Sequence, residues 1–406
     1  MQESKEDRRT VRTFAAASFL NDFGSDMIYP IWPLFLTLAL GANMEILGFI
    51  DGLGDALVSL SQAASGYVSD RIRRRKVFVW FGYLCGSVSR IGYGLSSMWQ
   101  QLVPFRILDR AGKMRGAPRD AMIADASSDQ NRGRNFGLLQ AMDNLGAVAG
   151  ILITIAVVAA FGFYTTVSLG SLHFTVLQGI FLVAAVPSVI AALLVYIVIK
   201  EKRESGRRIF KGFSFRDIDN NFRLYLILSA IFALGSFSYS FLLIFAQKAG
   251  FPLITIPILY LIFTLFAALL SYPFGRLADK IGRKRVLFVS YGFWIGVCLI
   301  FVLWQVYWAI VFTFVLYGLH RAAIDPVQRT IVSEIAPVQY RASSLGAFQL
   351  IVGVCALPAS LAAGILWDSV GKIWPFVVSL VLTLISAVLL LWVKEKRPIT
   401  TSGASS

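Results

Sequence analysis

Acidic and basic side chains at helical spacing, set inside apolar sequence, carry most of the chemistry this chain could do. Asp22 and Asp26 lie four apart, as do Asp51 and Asp55, so each pair shares one helix face. Further on, Arg106, Asp109, Arg110, Lys113, Arg115, Arg119 and Asp120 crowd one stretch, with Arg90 before it and Asp143 after it. A charge in hydrocarbon costs about 2.5–3.5 kcal/mol on insertion scales, so such groups pair or face a cavity. A carboxylate that alternates between an arginine partner and a proton can couple proton flow to a change of shape. The plainer reading is structural: seven acids face six bases here, and internal ion pairs would neutralise nearly all of them. On that reading Arg90 is expected to pair with Asp51 or Asp55, and Asp325 with Arg321 at i,i+4. Enzyme chemistry is not expected. The sequence offers no nucleophile–His–acid set, no metal-ligand spacing and no G-x-x-x-x-G-K-[ST] phosphate loop, so no cofactor is expected and an ion gradient is the expected energy source. Cys85, Cys298 and Cys355 lie far apart in apolar runs and form no disulfide framework.

The elements that must position these charges are membrane spans. The chain is 57% hydrophobic and 15% charged, against about 25% charged in an ordinary soluble domain. Mean hydropathy is +0.68. Twelve stretches approach the roughly 20 apolar residues a membrane helix needs: 13–40, 44–69, 77–98, 99–125, 135–161, 173–199, 222–247, 252–275, 286–304, 306–328, 342–366 and 373–393. The net charge of +15 is gathered at Lys5 to Arg12, at two basic turns, in the stretch 200–221 and at Lys394 to Arg397; Lys248 and Lys372 are the exceptions. Positive residues mark cytoplasmic loops, so both termini are expected inside, with anionic lipid attracted as a side effect and no nucleic-acid partner. The charged start, Lys5 to Arg12, is read as retained rather than as a cleaved signal.

One basic turn occurs twice. Gly66-Tyr67-Val68-Ser69-Asp70-Arg71-Ile72-Arg73-Arg74-Arg75-Lys76 is matched 209 residues later by Gly275-Arg276-Leu277-Ala278-Asp279-Lys280-Ile281-Gly282-Arg283-Lys284-Arg285. Arg132, Gly137 and Gln140 match Arg341, Gly346 and Gln349 at the same separation. The chain therefore reads as two related halves, 1–199 and 222–406, joined by a basic linker at 200–221. Parallel repeats of six spans are a transporter architecture.

These residues resemble a known family. The pattern G-x-L-A-D-[RK]-x-G-R-[RK] between spans two and three, repeated between eight and nine, resembles the signature of the major facilitator superfamily. Gly275 to Lys284 fit it in full, and the first copy carries Val68 and Arg73 in place of Leu and Gly. Arg106 to Gly112 resembles the family's R-x-x-x-x-x-G of span four. The pairing of Asn21-Asp22 through Pro30 with Asp109 to Lys113 and Arg115 to Asp120 resembles a prokaryotic permease subgroup. A third pattern, the G-x-x-x-G-P of proton antiporters, is met at Gly146 and Gly150 but has Ile151 where Pro belongs.

The resemblance implies an all-α membrane protein of two six-helix bundles, in which spans one, four, seven and ten line a cavity. Asp26, near the middle of span one, then becomes the first choice for proton coupling, with Asp22 and Asp55 next. Arg106, Arg110, Lys113, His320, Arg321, Gln349, Phe237 and Tyr239 are the cavity candidates. The aromatic residues of span seven and the lone His320 also have packing readings. The turns become a cytoplasmic gate of Gly66, Asp70, Arg74, Arg119, Asp120, Gly275, Asp279 and Arg283, with a link expected from Asp70 and Arg74 to Arg119 and Asp120. The function expected is proton-coupled export of small amphiphilic compounds by a monomer in the inner membrane of a prokaryote. Uptake of a small organic anion with protons is the alternative. A non-transporting sensor or lipid-binding scaffold is the reading from another class, and the short linker speaks against it.

Overall fold

The computed structural model describes residues 5–72, 74–128, 131–163, 165–169, 172–201, 219–335 and 341–395, and these are almost entirely helical. The first span is α1 (Lys5–Ile28), continued by the short α2 (Trp32–Leu34) and a π turn at Phe35–Ala39. The helix breaks after Ile28 because Pro30 and Pro33 disfavour helical backbone before them, and Pro33 then starts α2. Next come α3 (Met44–Ile72) and α4 (Arg75–Leu95). Span four is α5 (Trp99–Ala111), a 3-10 turn at Gly112–Arg115 and α6 (Gly116–Asp125). The tight turn coincides with a crossing on α4, where a Cβ at Gly112 would stand 2.7 Å from the Gly82 carbonyl. Spans five and six are α7 (Arg132–Phe161) and α8 (Val176–Val198). Between them lies a small antiparallel hairpin, β1 (Thr166–Leu169) with β2 (Leu172–Thr175), which the span pattern did not foretell. Thr175 and Gln178 form a capping box that starts α8.

In the second half, span seven is broken into α9 (Asn220–Gly235) and α10 (Ser240–Lys248). The remaining spans are α11 (Thr255–Ile281), α12 (Arg283–Leu303), α13 (Tyr307–Ile335), α14 (Arg341–Ser369) and α15 (Trp374–Leu390). Among the described residues seven helices are long and apolar enough to cross a membrane by length and composition alone, and α15 is a shorter apolar helix. The first four spans fall outside that set. They are the ones that hold most of the intramembrane charges.

By internal contacts the chain forms two units. The first is Met1–Arg208 with Phe237–Leu261 and Gly353–Lys372. In it α1 lies between α7 and α8. A Cβ at Gly146 or Gly150 would run into the backbone of α1 at Phe19 or Phe23, and one turn further Thr154 donates to the Met27 carbonyl at 2.7 Å. The Gly146 to Gly150 pair is thus a close-approach stripe against α1, which small residues at four-residue spacing permit. Val11, Phe14, Val79, Tyr83, Ala191 and Val195 form an apolar core joining α1, α4 and α8.

The second unit is Ile209–Ser236, Ile262–Val352 and Ile373–Ser406. Its interior is aromatic and hydroxylic. Phe232 stacks on Tyr291 at 4.6 Å, Trp294 Nε1 donates to Ser379 Oγ at 2.8 Å, and Ser386 Oγ donates to the Leu228 carbonyl at 3.2 Å.

Candidate functional site

The charged residues of the first unit sort into three places. At the first, Asp51 on α3 is 2% exposed and accepts four hydrogen bonds. Arg106 Nη2 and Trp32 Nε1 reach its Oδ1 at 2.6 and 2.9 Å; Ser238 Oγ and Ser240 Oγ reach its Oδ2 at 2.8 and 2.5 Å. The Arg106 guanidinium also lies 4.2 Å from the Trp32 ring centre, a cation–π contact. Every lone pair of a buried carboxylate needs a donor, and this one is well supplied. Breaking span seven between α9 and α10 is what delivers the two serines. Irregular backbone at membrane depth is tolerated where protein surrounds it, and here the Ser238 amide donates to Ser360 Oγ at 3.2 Å.

The second place surrounds Asp26 and Arg110. Asp26 is 9% exposed and accepts from the Tyr260 hydroxyl at 3.4 Å. Tyr260 meets Tyr239 edge-on at 5.2 Å, and the Tyr239 hydroxyl donates to the Tyr29 carbonyl at 3.3 Å. Asp22 and Lys113 are the leading side-chain charges acting on Asp26, one like and one opposite. Arg110 is buried, 3.6 Å from Asp109 and over the Tyr29 ring at 5.4 Å. Gly54 makes room for both arginines: a Cβ there would lie 3.2 Å from Arg110 Nε and 3.3 Å from Arg106 Nε. Both Nε atoms are buried and lack a hydrogen-bond partner.

The third place corrects an expectation. Arg90 pairs with neither Asp51 nor Asp55. It faces α1 and α8, and it donates to the Ala184 and Asn21 carbonyls at 3.0 and 3.2 Å, to Asn21 Oδ1 at 3.4 Å, to Ser25 Oγ at 2.7 Å and to Ser188 Oγ. The reason is the face of α4 it occupies. Gly24 clears the space for the guanidinium, since a Cβ there would strike Arg90 Nη1. Asp51 has already taken Arg106.

The other candidates fall as follows. Asp22 is half-buried and accepts from Asn21 Nδ2 at 2.8 Å; Asp55 is exposed on α3. Lys113 and Gln349 are half-buried, on the 3-10 turn and α14. Phe237 is buried edge-on against Phe241 at 5.2 Å, and Phe241 and Phe245 are fully buried against Trp367. Two candidates are engaged within their own surroundings. His320 is buried; its Nδ1 lies 2.9 Å from both Ser290 Oγ and the Ser290 carbonyl, and its ring lies 5.5 Å from Trp294, so it packs inside the second unit. Arg321 is exposed and engaged with Asp325 at 3.0 Å, the pair expected from their spacing.

At the basic turns the expected residues are shifted and extended. Arg74 is an exposed cap position, and Arg75 does the work. Its side chain pairs with Asp125 at the end of α6, and its amide donates to Glu201 Oε1 at 2.5 Å. In the second copy Arg283 pairs with Asp279 and Glu334 at 3.2 and 2.8 Å, and its amide donates to Glu395 Oε1 at 2.5 Å. The shift has a backbone cause. Gly282 sits at φ +100°, so one residue turns α11 into α12, whereas α3 and α4 are separated by two. Gly66 meets Ala117 Cβ at ordinary contact distance, 3.5 Å for an added Cβ, but Gly275 has nothing within 4 Å and is not a close-approach glycine. Arg119 donates to Asp120 at 2.9 Å and to Ser18 at 2.7 Å, tying α6 to α1. The Asp70 side chain lies outside the described residues.

Sequence reading missed Asp51 as a node, the serines of span seven, and the acids Asp125, Glu201, Glu334 and Glu395. A signal for the last four existed. Asp125 and Glu334 stand 209 apart, like the turns, and Lys-Glu-Lys-Arg occurs twice, at 200–203 and 394–397.

A helical, multi-pass membrane protein with a repeated basic turn and buried charge in its first half is the class that fold and site define. The chain belongs to the Major Facilitator Superfamily, whose family model matches residues 14–269 and 225–406. An uncharacterized MFS-type transporter of Methanocaldococcus jannaschii is 35% identical over 402 residues, covering 97% of this chain and 96% of that one. An uncharacterized protein of Mycobacterium tuberculosis is 25% identical, covering 85% and 84%. Among solved structures, an inward-facing, unoccupied bacterial homolog of the human lysosomal transporter Spinster has a TM-score of 0.75 at 15% identity, covering 97% of this chain and 98% of that one. The nucleoside transporter NupG, as its D323A mutant, has a TM-score of 0.76 at 12% identity, covering 95% and 100%. At those identities the likeness is one of fold. The family makes the chain a secondary transporter that works in a bilayer on a small-molecule substrate.

Proposed function

We propose that this transporter is proton-coupled and exports small amphiphilic compounds by alternating access, in the cytoplasmic membrane of a prokaryote. Its halves are 1–199 and 222–406, joined by 200–221. The observation that carries the reading is the contact of Asp26 with Tyr260. A buried carboxylate held by one neutral hydroxyl, with Lys113 and Asp22 acting on it, can take up or release a proton as its surroundings change. Tyr260 belongs to the second half and Asp26 to the first, so a rearrangement between halves would alter the donor on Asp26. The Asp51 cluster acts as the gate that must open, because Ser238 and Ser240 come from the second half as well. Tyr29, Tyr239 and Tyr260 supply the amphiphilic wall.

The test is transport by purified protein in proteoliposomes with an imposed pH gradient. Substrate movement is expected to follow the gradient in the wild type. Asp26→Asn is expected to bind substrate yet lose the response to pH. Gradient-driven transport that survives in Asp26→Asn would remove Asp26 from the mechanism.

A second reading is proton-coupled uptake of a small organic anion. The Nε of Arg106, buried and without a hydrogen-bond partner, favours it, since a buried guanidinium donor without an acceptor suits a carboxylate. Anion accumulation that is lost in Lys113→Gln and Arg110→Gln would select this reading over export.

A further inference from the structure

The first turns of α1 send Val11 into the apolar core that joins α1, α4 and α8, and on another face they carry a surface the transport reading does not use. Lys5, Arg8, Arg9 and Arg12 recur at i, i+3, i+4 and i+7, so all four point from one side of the helix, while Glu6 and Asp7 fall off that face. All four are exposed. They rim a groove of about 720 Å³ whose floor is apolar, made by Ala16 and by Leu194 of α8.

The surface next to the groove is apolar too. On α8, Ile190, Leu193 and Ile197 are 47, 52 and 74% exposed, at the spacing of one helix face. Two residues past Leu194 and on another side of α8, Tyr196 packs against Trp80 at 5.5 Å and carries the Lys76 ammonium over its ring at 5.3 Å. An aromatic pair with a lysine is the signature of the headgroup level of a bilayer. The groove therefore stands where a cationic rim meets an acyl-facing helix.

We propose that this groove binds an anionic phospholipid, with the phosphate held by Lys5, Arg8, Arg9 and Arg12 and an acyl chain laid along the Ile190–Leu193–Ile197 face of α8. Charge complementarity selects the occupant. Each basic residue close to an anionic membrane surface adds about 1 kcal/mol of attraction, whether it is lysine or arginine. A free phosphate would use the rim but not the apolar floor or the exposed stripe.

The test is native mass spectrometry of the full-length protein titrated with phosphatidylglycerol or phosphatidylcholine, with inorganic phosphate as a competitor. Phosphatidylglycerol is expected to be retained in preference to phosphatidylcholine, and millimolar inorganic phosphate is expected not to displace it. R9Q/R12Q is expected to lower the phosphatidylglycerol affinity about thirtyfold. R9K/R12K, which keeps both charges, is expected to hold it. Both variants change exposed side chains, and unchanged helical content by circular dichroism establishes that each is folded. Equal retention of the two lipids, an undiminished affinity in R9Q/R12Q, or a lost affinity in R9K/R12K would overturn the proposal. Displacement by inorganic phosphate would overturn it in favour of a free-anion site.

Discussion

The two halves are alike at their basic turns and unlike at mid-span. At the turns, each half sets an arginine against an acid of its fourth helix, Arg75 with Asp125 and Arg283 with Glu334, and caps the next helix with a glutamate that follows its sixth. At mid-span the first half buries Arg90, Arg106, Asp51, Asp109 and Arg110, whereas the second unit buries His320, Trp294, Tyr291 and serine and threonine hydroxyls. What the repeat retains is the scaffold of the turns. What has diverged is the membrane core, with ionisable chemistry on one side and neutral donors such as Ser238, Ser240 and Tyr260 on the other. That division suits a transporter in which one half carries charge and the other offers groups that can let go of it without stranding a second ion.

The strongest way to break this contrast is at Asp51. Removing one partner of a buried, hydrogen-bonded ion pair costs about 3–5 kcal/mol, because the remaining charge is left uncompensated. Asp51→Ala is expected to destabilise the protein by that amount, read as a large fall in thermal midpoint in detergent. His320→Ala in the second unit removes a packing group whose ring nitrogen is held by Ser290 and is expected to cost less. Equal losses would erase the asymmetry. Arg90 gives the next largest effect. Arg90→Met strips donors from Asn21, Ser25, Ser188 and Ala184 and is expected to cost about 2–3 kcal/mol, the range for bonds to a charged group. Trp294→Phe breaks one neutral bond to Ser379 and is expected to cost about 1 kcal/mol. A chemical-denaturation pair in the same detergent compares them.

The spans, the repeat and the family were legible because they rest on long apolar runs and a motif of fixed spacing. Charge pairing was not. Seven acids and six bases allow many pairings at the level of sequence, and the choice made by Asp51 depends on which helix faces meet. Arg90 went to neutral acceptors because Gly24 opened α1 to it, a fact of helix–helix contact rather than of spacing. The shift from Arg74 to Arg75 was half visible: the sequence showed Arg73 in place of glycine, and the consequence needed the backbone angle of Gly282. The serines of span seven were hidden by their neutrality, since nothing marks a hydroxyl as functional until a helix breaks to aim it.

Exchanging the turn residues sharpens the part where the halves agree. Gly282 holds φ +100°, where an L side chain is strained by roughly 1–2 kcal/mol. Gly282→Arg is therefore expected to destabilise the second turn by about that amount or to lengthen it to the two-residue form of the first. Gly275→Ala, at a glycine of the same turn motif with nothing within 4 Å of an added Cβ, is expected to change stability by well under 1 kcal/mol. A comparable loss from both substitutions would mean that the loss at Gly282 has a cause other than backbone geometry.

The smallest expected effects are also the most symmetric. Glu201 accepts from the Arg75 and Lys76 amides at 2.5 and 3.2 Å, and Glu395 accepts from the Arg283 amide at 2.5 Å. Each carboxylate sits where a helix N-terminus concentrates unsatisfied N–H groups and partial positive charge. Glu201→Gln and Glu395→Gln keep an acceptor oxygen and lose the charge, so each is expected to cost about 0.3–1 kcal/mol. Raised salt is expected to shrink the difference from wild type in part, because the interaction lies at a half-buried helix end and is only partly screened. If the caps are equivalent, the two substitutions match in size and in salt response, and the double variant sums them. If only one responds, the repeated Lys-Glu-Lys-Arg segment has been kept in sequence while one copy has lost its work, and the likeness of the halves then stops at the arginine–acid pairs.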